Sequence, residues 1–439
     1  MSSKTHRHPL FWVPTLYLAM GTSWVTINLV SAIMYKNMGI SNAEAALWAS
    51  SLAAPWTFKP LWAPLLEMFK NKKFFVVTMQ FAYAMALAIA GIALEMPNFV
   101  TMTLVLFGVC GFVAATQDIG ADGVYVTTLS PKDQAKFTGV QSLCWSIGPI
   151  LASGVLVTLS GTFHDDMEMS WAASWRIVFL IIAGLMAILA VYHLAVLPPG
   201  EKAKDAPKSV GDAARTFGAA FRTFFQKKGI WMMIAFAFLY RFGQGLLDKI
   251  GPLFMMDEQA KGGLGLTNVA LGNINGTFGT FGFLLGAVLG GLFVAKKGLK
   301  SALMLLCIAI NVPNATYIYL AIAQPTDLAL ITGVVTFEKL GFGFGSVGHM
   351  IYMMQQIAPG RYKTAHYAFA TGLMGLCMQT TGMVSGYLQQ AMGYTMYFVF
   401  VMVATIPSFI VTWLAPFHVK EDAAEAEEEP VPTPQVAAP

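Results

Sequence analysis

The sequence predicts an all-α polytopic membrane protein with twelve transmembrane helices. Of its 439 residues, 56% are hydrophobic and 11% are charged, and the mean hydropathy is +0.61. A soluble globular chain carries about 25% charged residues, so this chain is too apolar to cover a soluble surface. Apolar runs of about 20 residues, long enough to span a bilayer, recur along the chain. The lipid bilayer is therefore the expected surrounding, and a net charge of +4 does not indicate a nucleic-acid partner.

Twelve apolar runs are candidate spans. In order, they are residues 10–33, 43–66, 74–95, 99–129, 135–160, 174–196, 229–255, 267–295, 300–323, 328–357, 364–390 and 393–416. The first run follows a short basic segment. Its length and the eleven later runs favour a retained helix over a cleaved signal peptide.

Polar segments divide the chain into parts. We predict an N-terminal six-helix half at 1–196, a cytoplasmic linker at 197–228, a C-terminal six-helix half at 229–416 and a tail at 417–439. The linker sequence "VGDAARTFGAAFRTFFQKKG" places phenylalanines on one face and basic residues on the other, which predicts an amphipathic helix at the membrane interface. The acidic, proline-rich tail is expected to be disordered.

The distribution of lysine and arginine predicts the orientation. Loops on the side of the N-terminus are rich in both residues, whereas the opposite loops carry only Lys36 and Lys261. Because short cytoplasmic loops are enriched in lysine and arginine, both termini are expected to be cytoplasmic.

The two halves also echo each other. "LSPKDQAKFTGVQSL" follows the fourth run and "IAPGRYKTAHYAFATGL" follows the tenth, with Pro131 and Pro359 in corresponding positions. Two pseudo-symmetric six-helix halves joined by a central linker are typical of major facilitator transporters, whose halves are parallel repeats. In that fold, spans 1, 4, 7 and 10 line a central cavity.

Two carboxylates lie inside the fourth apolar run, in "AATQDIGADGVYV". Asp118 and Asp122 are four residues apart and therefore share a helical face. A charge exposed to lipid at mid-membrane costs ~2.5–3.5 kcal/mol, which a water-filled cavity would avoid. The alternative is a structural pair with a basic residue. Lys59 has the depth of Asp122, and a Lys59–Asp122 pair is expected.

Further charges lie in the seventh and tenth runs. Arg241 and Asp248 share a face of "LYRFGQGLLDKIGP", and Glu338 and His349 share a stripe of the tenth run. A buried carboxylate beside a cation can load and release a proton on alternate sides. We therefore predict proton coupling by Asp118, Glu338 and Asp122. Arg241 is expected either to tune these acids or to bind an anionic solute group.

The remaining candidates are assigned by residue type and depth. The predicted solute contacts are Arg241, Asp248, Trp24, Asn28, Tyr125, Tyr240, Gln244 and Trp145, which could stack on a sugar ring and hydrogen-bond to it. For the aromatic residues, ordinary packing is the alternative. Charge-pair or gating roles are predicted for Lys59, Lys249 and His349, with interface snorkelling as the alternative for Lys249.

Nothing in the sequence predicts an enzyme. No nucleophile–base set appears, and the four cysteines lack the spacing of a metal site or a disulfide framework. Neither a catalytic nor a metal site is predicted, and the expected energy source is a proton gradient rather than a cofactor.

Four segments, "ATQDIGADG", "FKPLWAPLLE", "LYRFGQGLLDKIGPLF" and "FEKLGFGFGSVGHMIYMM", resemble the AmpG-like muropeptide permeases, a major facilitator branch related to the acetyl-CoA transporters. The resemblance implies proton-linked import of molecules containing amino sugars across the bacterial inner membrane. It implies functional roles for Lys59, Asp118, Asp122, Arg241 and Glu338. The chain departs from the pattern in the first run, which lacks Gly-Leu-Pro, at Arg241, where lysine is common, and around Gln244, where the family has an aspartate.

The sequence thus predicts a monomeric secondary transporter that imports a sugar-like solute with protons by alternating access. The solute would be an amino sugar, a muropeptide or a glycan-derived oligosaccharide. One alternative is a proton-coupled exporter or antiporter of amphipathic compounds, suggested by Gly148-Pro149 in the fifth run. The alternative of another class is a non-transporting membrane sensor on a transporter fold.

Overall fold

A computed structural model describes residues 7–68, 71–200 and 209–417 of the chain. Regular secondary structure within these ranges is entirely helical. The expected disordered tail lies outside the described residues apart from Phe417, as do residues 201–208 of the linker.

The described chain forms twelve spans, α1 to α12. They are α1 Pro9–Asn37, α2 42–67, α3 Lys72–Ala93, α4 Phe99–Thr128, α5 131–165, α6 Trp171–Val196, α7 230–256, α8 Asn268–Lys297, α9 Leu299–Ala323, α10 Leu328–Ile357, α11 363–392 and α12 394–413. Ten helical segments in the described ranges are continuous, long and apolar enough to cross a membrane. This number is two lower than the number of spans, because α2 is broken into short helices and α11 and α12 form one continuous helical run.

The second span is divided by prolines. It consists of Asn42–Leu52, Ala54–Phe58 and Ala63–Glu67, with a 3₁₀ turn at Lys59–Leu61. Proline lacks the N–H that an α-helix needs and its ring clashes with the preceding turn, so three prolines in ten residues fragment the helix. The irregular backbone turns Trp56 and Lys59 toward the protein interior.

The last two spans are separated at a glycine. The helical run Lys363–Val403 contains Gly393 at φ 71° and ψ 167°, a conformation outside the helical region. Glycine adopts a positive φ without the steric penalty of a side chain. The chain therefore reverses at Gly393, and α11 and α12 are two spans.

Glycines allow α8 and α10 to pack closely. A Cβ atom on Gly286 would lie 2.0 Å from the carbonyl oxygen of Leu340, and one on Gly282 would lie 2.6 Å from that of Thr336. Small residues at such positions are the usual means by which membrane helices approach each other. These contacts help to hold the second six-helix half together. The exact domain boundaries given above remain predictions.

A linker helix, Val210–Phe225, lies between α6 and α7. Phe224 packs edge-on against Phe369 of α11 at 5.5 Å, and Thr223 Oγ1 lies 3.1 Å from His366 Nε2. The Lys227 ammonium donates a 2.6 Å hydrogen bond to the carbonyl oxygen of Pro359. The linker helix is therefore attached to the C-terminal half.

Several contacts between the two halves lie at one end of the bundle. We call the side where α1 begins and α12 ends the terminal side, and the opposite side the distal side. On the distal side, Asp257 after α7 forms an ion pair with Lys36 of α1, accepts a 2.8 Å hydrogen bond from Asn42 of α2 and accepts another from Tyr394 of α12. We call these four residues the distal latch.

A second distal contact joins α5 and α8. Both helices carry a π-helical turn there, Ile150–Leu156 and Gly272–Phe278. A Cβ on Gly276 would lie 2.3 Å from the backbone of Ser153, so the two helices touch through their backbones. Together with the distal latch, this contact closes the distal side.

Candidate functional site

A cavity of about 520 Å³ lies between the two halves, on the terminal side of the distal closure. Its volume falls within the ~300–1,000 Å³ typical of small-molecule sites. The predicted site residues on its wall are Trp24, Asn28, Lys59, Trp145, Arg241, Asp248 and Lys249. The structure therefore brings residues of α1, α2, α5 and α7 together. Of the four spans predicted to line the cavity, α1, α7 and α10 do so, whereas α4 contributes no described residue to the wall.

The wall formed by the N-terminal half is aromatic. The rings of Trp24 in α1 and Trp145 in α5 lie 5.8 Å apart at 47°, and Trp56 of α2 lines the same cavity. Asn28 lies within a π-helical stretch, Thr26–Val30, and its side chain donates a 3.0 Å hydrogen bond to the carbonyl oxygen of Trp24. Such stretches in helices are frequent at functional sites.

The wall formed by the C-terminal half is cationic. Arg241 interrupts α7 between Ile230–Leu239 and Phe242–Met256, with non-helical backbone angles of φ −108° and ψ 19°. The Arg241 guanidinium lies 5.5 Å from the centre of the Phe342 ring, and the Lys339 ammonium lies 5.7 Å from the same ring. Cation–π attraction holds both cations beside the ring. Interrupted helices commonly form solute sites in transporters.

Three lysine–carboxylate pairs border the cavity. They are Lys59–Asp118 at 3.6 Å, Lys249–Asp248 at 3.4 Å and Lys339–Glu338 at 3.4 Å. Arg241 differs, because no described carboxylate lies within ion-pair distance of it, and its Nη2 donates only a long 3.4 Å hydrogen bond to the carbonyl oxygen of Ser346. Arg241 is therefore the wall cation whose charge is left for a ligand.

Asp118 lies behind the wall and not on it. Its side chain is 11% exposed, and the Trp56 indole donates a 3.0 Å hydrogen bond to it from the cavity wall. The prediction that the acids themselves line the cavity needs this correction. Ion pairing and hydrogen bonding, rather than direct hydration, offset the cost of burying the charge.

The partner expected for Lys59 was Asp122, and the structure pairs it with Asp118. Asp122 instead accepts a 2.9 Å hydrogen bond from the Tyr17 hydroxyl of α1. The two aspartates share a helical face, as predicted, but one turn of helix gives them different partners. The proton-coupling role assigned to Asp122 stays a prediction.

Glu338 is also enclosed. Its side chain is 0% exposed, and Gln244 of α7 donates a 3.1 Å hydrogen bond to one carboxylate oxygen. Gln244 was predicted to contact the solute, but its amide is engaged by Glu338 and it does not line the cavity.

Three further candidates also lie off the cavity wall. The Tyr125 hydroxyl donates to the carbonyl oxygen of Gln134 at 2.6 Å, and the Tyr240 hydroxyl donates to that of Gly345 at 3.0 Å. The His349 Nε2 atom lies 3.1 Å from the carbonyl oxygen of Ala237. Backbone carbonyls engage these polar groups within helix–helix contacts. The structure therefore supports packing for both tyrosines, and the gating role of His349 stays a prediction.

Lys249 does not snorkel. Its side chain is 6% exposed, it is paired with Asp248, and its ammonium donates a 2.5 Å hydrogen bond to the carbonyl oxygen of Asn28. This bond connects α7 to α1 across the two halves, which fits the predicted charge-pair role.

Sequence reasoning missed Lys339 and Trp56. Lys339 had a visible signal, because a lysine in the middle of an apolar run is expensive and usually faces the protein interior. Trp56 had none, because its direction depends on how the proline-broken α2 turns.

Two six-helix halves, a central cavity and charges paired inside the membrane define a polytopic membrane transporter of small molecules. The comparison of sequences agrees with this class. The chain belongs to the Major Facilitator Superfamily, whose family model matches residues 15–386.

The chain is similar to the anhydromuropeptide permease of Escherichia coli K12, with 23% identity over 395 residues, 88% of this chain and 76% of the permease. This similarity confirms the resemblance to AmpG-like permeases. Among solved structures, an inward-facing, unoccupied bacterial homologue of the human lysosomal transporter Spinster matches with a TM-score of 0.70 and 16% identity, covering 94% of this chain and 96% of that one. A D-xylose–proton symporter matches with a TM-score of 0.67 and 12% identity, covering 95% and 98%. Both structures confirm the fold.

Proposed function

We propose that the chain is a secondary importer of a sugar-like solute, driven by proton symport with alternating access. The solute would be an amino sugar, a muropeptide or a glycan-derived oligosaccharide. The observation that carries this proposal is the asymmetry of the cavity. It has tryptophans on one wall and, on the other, an arginine without a carboxylate partner among the described residues.

The aromatic wall suits a sugar ring. Trp24 and Trp145 line the cavity, and the apolar C–H face of a pyranose stacks on indole rings while its hydroxyls remain free to hydrogen-bond. Asn28 and Gln379 also line the cavity and supply amide groups. The name of the Escherichia coli relative supports a solute of this class.

The cationic wall suits an acidic or carbonyl-bearing group on the same solute. A guanidinium without a carboxylate partner offers a fork of N–H donors, and charge-assisted hydrogen bonds to it are the strong ones. Arg241 is placed to bind a carboxylate or an N-acetyl oxygen while the ring rests on the opposite wall.

Proton coupling is assigned to Asp118 and Glu338. They lie on α4 and α10, which correspond in the two halves, and each is paired with a lysine on the cavity wall. A carboxylate that changes partners as the cavity opens to alternate sides can carry a proton with the solute. The similarity to a D-xylose–proton symporter supports this mechanism.

We assign the described conformation to the inward-facing state. With both termini cytoplasmic in a bacterial inner membrane, the distal closure seals the outer side and the cavity faces the cytoplasm. The described loops on the terminal side are rich in lysine and arginine, as cytoplasmic loops are.

The Gly148-Pro149 pair that suggested an antiporter has a packing explanation. A Cβ on Gly148 would lie 2.3 Å from the backbone nitrogen of Thr22, so glycine is required where α5 touches α1. This packing role removes the Gly148-Pro149 pair as an argument for the antiporter alternative.

Uptake into proteoliposomes tests the proposal. Radiolabelled N-acetylglucosamine, N-acetylmuramic acid and an anhydro-muropeptide are offered with and without a proton gradient. We expect at least one solute to accumulate above its outside concentration only when the gradient is present. Binding without accumulation would indicate a sensor, and gradient-driven loss of a preloaded solute would indicate an antiporter.

The proton-coupling assignment has a separate test. Asp118→Asn and Glu338→Gln should each abolish uphill uptake while preserving exchange of labelled for unlabelled solute. The exposed Glu258→Gln is the matched control and should keep both activities. Uphill uptake that survives both the Asp118 and the Glu338 substitution would overturn the assignment.

A further inference from the structure

Lys339 lies between a buried acid and the cavity. Its ammonium is 3.4 Å from Glu338, its own side chain is 15% exposed and that of Glu338 is 0% exposed. Lys339 lines the cavity and lies beside the Phe342 ring that also contacts Arg241. The ammonium can therefore reach either the carboxylate behind it or a solute group in front of it.

Among the groups around Glu338, Lys339 is the ion-pair partner that also lines the cavity. Gln244 engages one carboxylate oxygen, while the other has no hydrogen bond among the described residues. The charged and titratable groups around this level are Arg241, Asp248 and Lys249 in α7, Tyr317 in α9 and Lys339 in α10. The segment of α8 against Lys339 is neutral, with Gly279 close to the lysine stem.

We propose that Lys339 is the positioning residue through which solute and proton are coupled, an inference that rests on the function proposed above. A carboxylate or carbonyl group of the solute draws the ammonium away from Glu338 toward Arg241. The Glu338 carboxylate then takes one proton from cavity water and becomes a neutral carboxylic acid. The ammonium keeps its own protons throughout. When the solute leaves, Lys339 returns, and the carboxyl releases its proton to water.

The direction of the coupling follows from electrostatics. A buried carboxylate without its cation is unfavourable, so loss of the ion pair favours the protonated form. Coupling between two ligands is reciprocal, and the solute must therefore bind more tightly when the proton is present. Arg241 supplies a second contact for the solute group. This contact favours the solute position that draws the Lys339 ammonium away from Glu338.

The first test needs no solute. Dicyclohexylcarbodiimide modifies protonated carboxyl groups in apolar surroundings, and mass spectrometry measures its rate at Glu338. We expect Lys339→Met to raise this rate severalfold, whereas Lys339→Arg stays near the wild-type rate. Lys261→Met, which removes an exposed distal lysine that also pairs with an acid, should leave the rate at Glu338 unchanged. Equal rates in Lys339→Met and wild type would overturn the covering role.

The second test measures coupling. N-acetylmuramic acid and N-acetylglucosamine are the probes, and binding is measured across pH together with proton uptake by a pH-sensitive dye. Wild type and Lys339→Arg should bind more tightly as pH falls and take up protons on binding. Lys339→Met should still exchange solute but lose the pH dependence and uphill uptake.

The two hypotheses fail differently. A Lys339→Met protein that keeps the full pH dependence of binding would overturn the coupling role while leaving the transport proposal intact. If wild type neither binds nor moves any of the solutes, the proposed function fails and the coupling role fails with it. The carbodiimide rates then still decide whether Lys339 covers Glu338.

Discussion

At the scale of single residues, the site depends on which cation is left unpaired. The three cavity lysines each have a carboxylate within 3.6 Å, whereas Arg241 has none among the described residues. The sequence predicted interior charges on α4, α7 and α10, because charges facing lipid are penalised. It could not predict the pairing. Lysine side chains are long and flexible, and the choice of Asp118 over Asp122 by Lys59 depends on a proline-made turn in α2.

We predict that Arg241→Gln weakens binding of an acidic sugar by about 10- to 100-fold, because a hydrogen bond to a charged group contributes ~1.5–3 kcal/mol. Arg241→Lys should show a smaller loss, since it keeps the charge but not the planar fork. Calorimetric titration with N-acetylmuramic acid measures the effect. N-acetylglucosamine is the neutral control, and an equal loss for both sugars would argue against an anion contact.

At the scale of elements, breaks and close contacts determine which surfaces face the cavity. Glycine and proline positions were visible in the sequence, and α2 is broken where its prolines cluster. The contact of α5 with α8 was not visible. Both helices have glycines at many positions, and only the packed structure shows which of these touch another backbone.

Gly276→Ala should destabilise the distal closure, because its Cβ would lie 2.3 Å from the Ser153 backbone. Gly291→Ala is the control, since it lies in the same helix with no heavy atom within 4 Å of the added carbon. The measurement is labelling of a cysteine introduced at Thr280 on the cavity wall, after replacement of the native cysteines, with an impermeant thiol reagent applied from the distal side. We expect faster labelling with Gly276→Ala alone, and unchanged labelling would contradict the assigned contact.

The distal latch gives a second prediction. Asp257→Asn should shift the equilibrium toward distal opening by about 10- to 100-fold, because it removes charged hydrogen bonds of ~1.5–3 kcal/mol. Glu258→Gln is the control. Glu258 lies 3.2 Å from the Lys261 ammonium, but the two side chains are 63–71% exposed, so this ion pair should contribute only ~0–1 kcal/mol. Labelling at Thr280 from the distal side measures both.

The latch should not respond to pH near neutrality. Burial alone would raise the pKa of Asp257, but hydrogen bonds from Lys36, Tyr394 and Asn42 outweigh it and lower the pKa below the ordinary 3.8. For an acid with a lowered pKa, the stabilisation is present above the ordinary value and is lost only as pH falls through the lowered one. Distal labelling that rises between neutral and mildly acidic pH would contradict this assignment.

At the scale of the whole molecule, the two halves are similar in fold and different in chemistry. The N-terminal half supplies tryptophans to the cavity, and the C-terminal half supplies Arg241, Lys249 and Lys339. Alternating access requires two such halves that rock around a fixed site, closed at one end at a time. The described state is closed on the distal side.

Orientation is tested with reporter fusions. A fluorescent protein fused after Pro439 should fluoresce if the termini are cytoplasmic, as the proposed orientation requires. Alkaline phosphatase fused after Gly265, in a distal loop, should be active. The reverse pattern would mean that the cavity opens toward the outer side of the membrane. It would contradict the proposed inward-facing state.

The sequence by itself determined the membrane class, the twelve spans and the presence of interior charges, because hydrophobic length and the cost of unpaired charge are local properties of the chain. Only the tertiary structure decided that Asp118 and Glu338 lie behind the cavity wall, that Lys339 pairs with Glu338 beside the cavity and that Asp257 joins the halves. Those arrangements depend on contacts between residues far apart in the chain, whose directions are determined by breaks and glycine contacts in the packed helices.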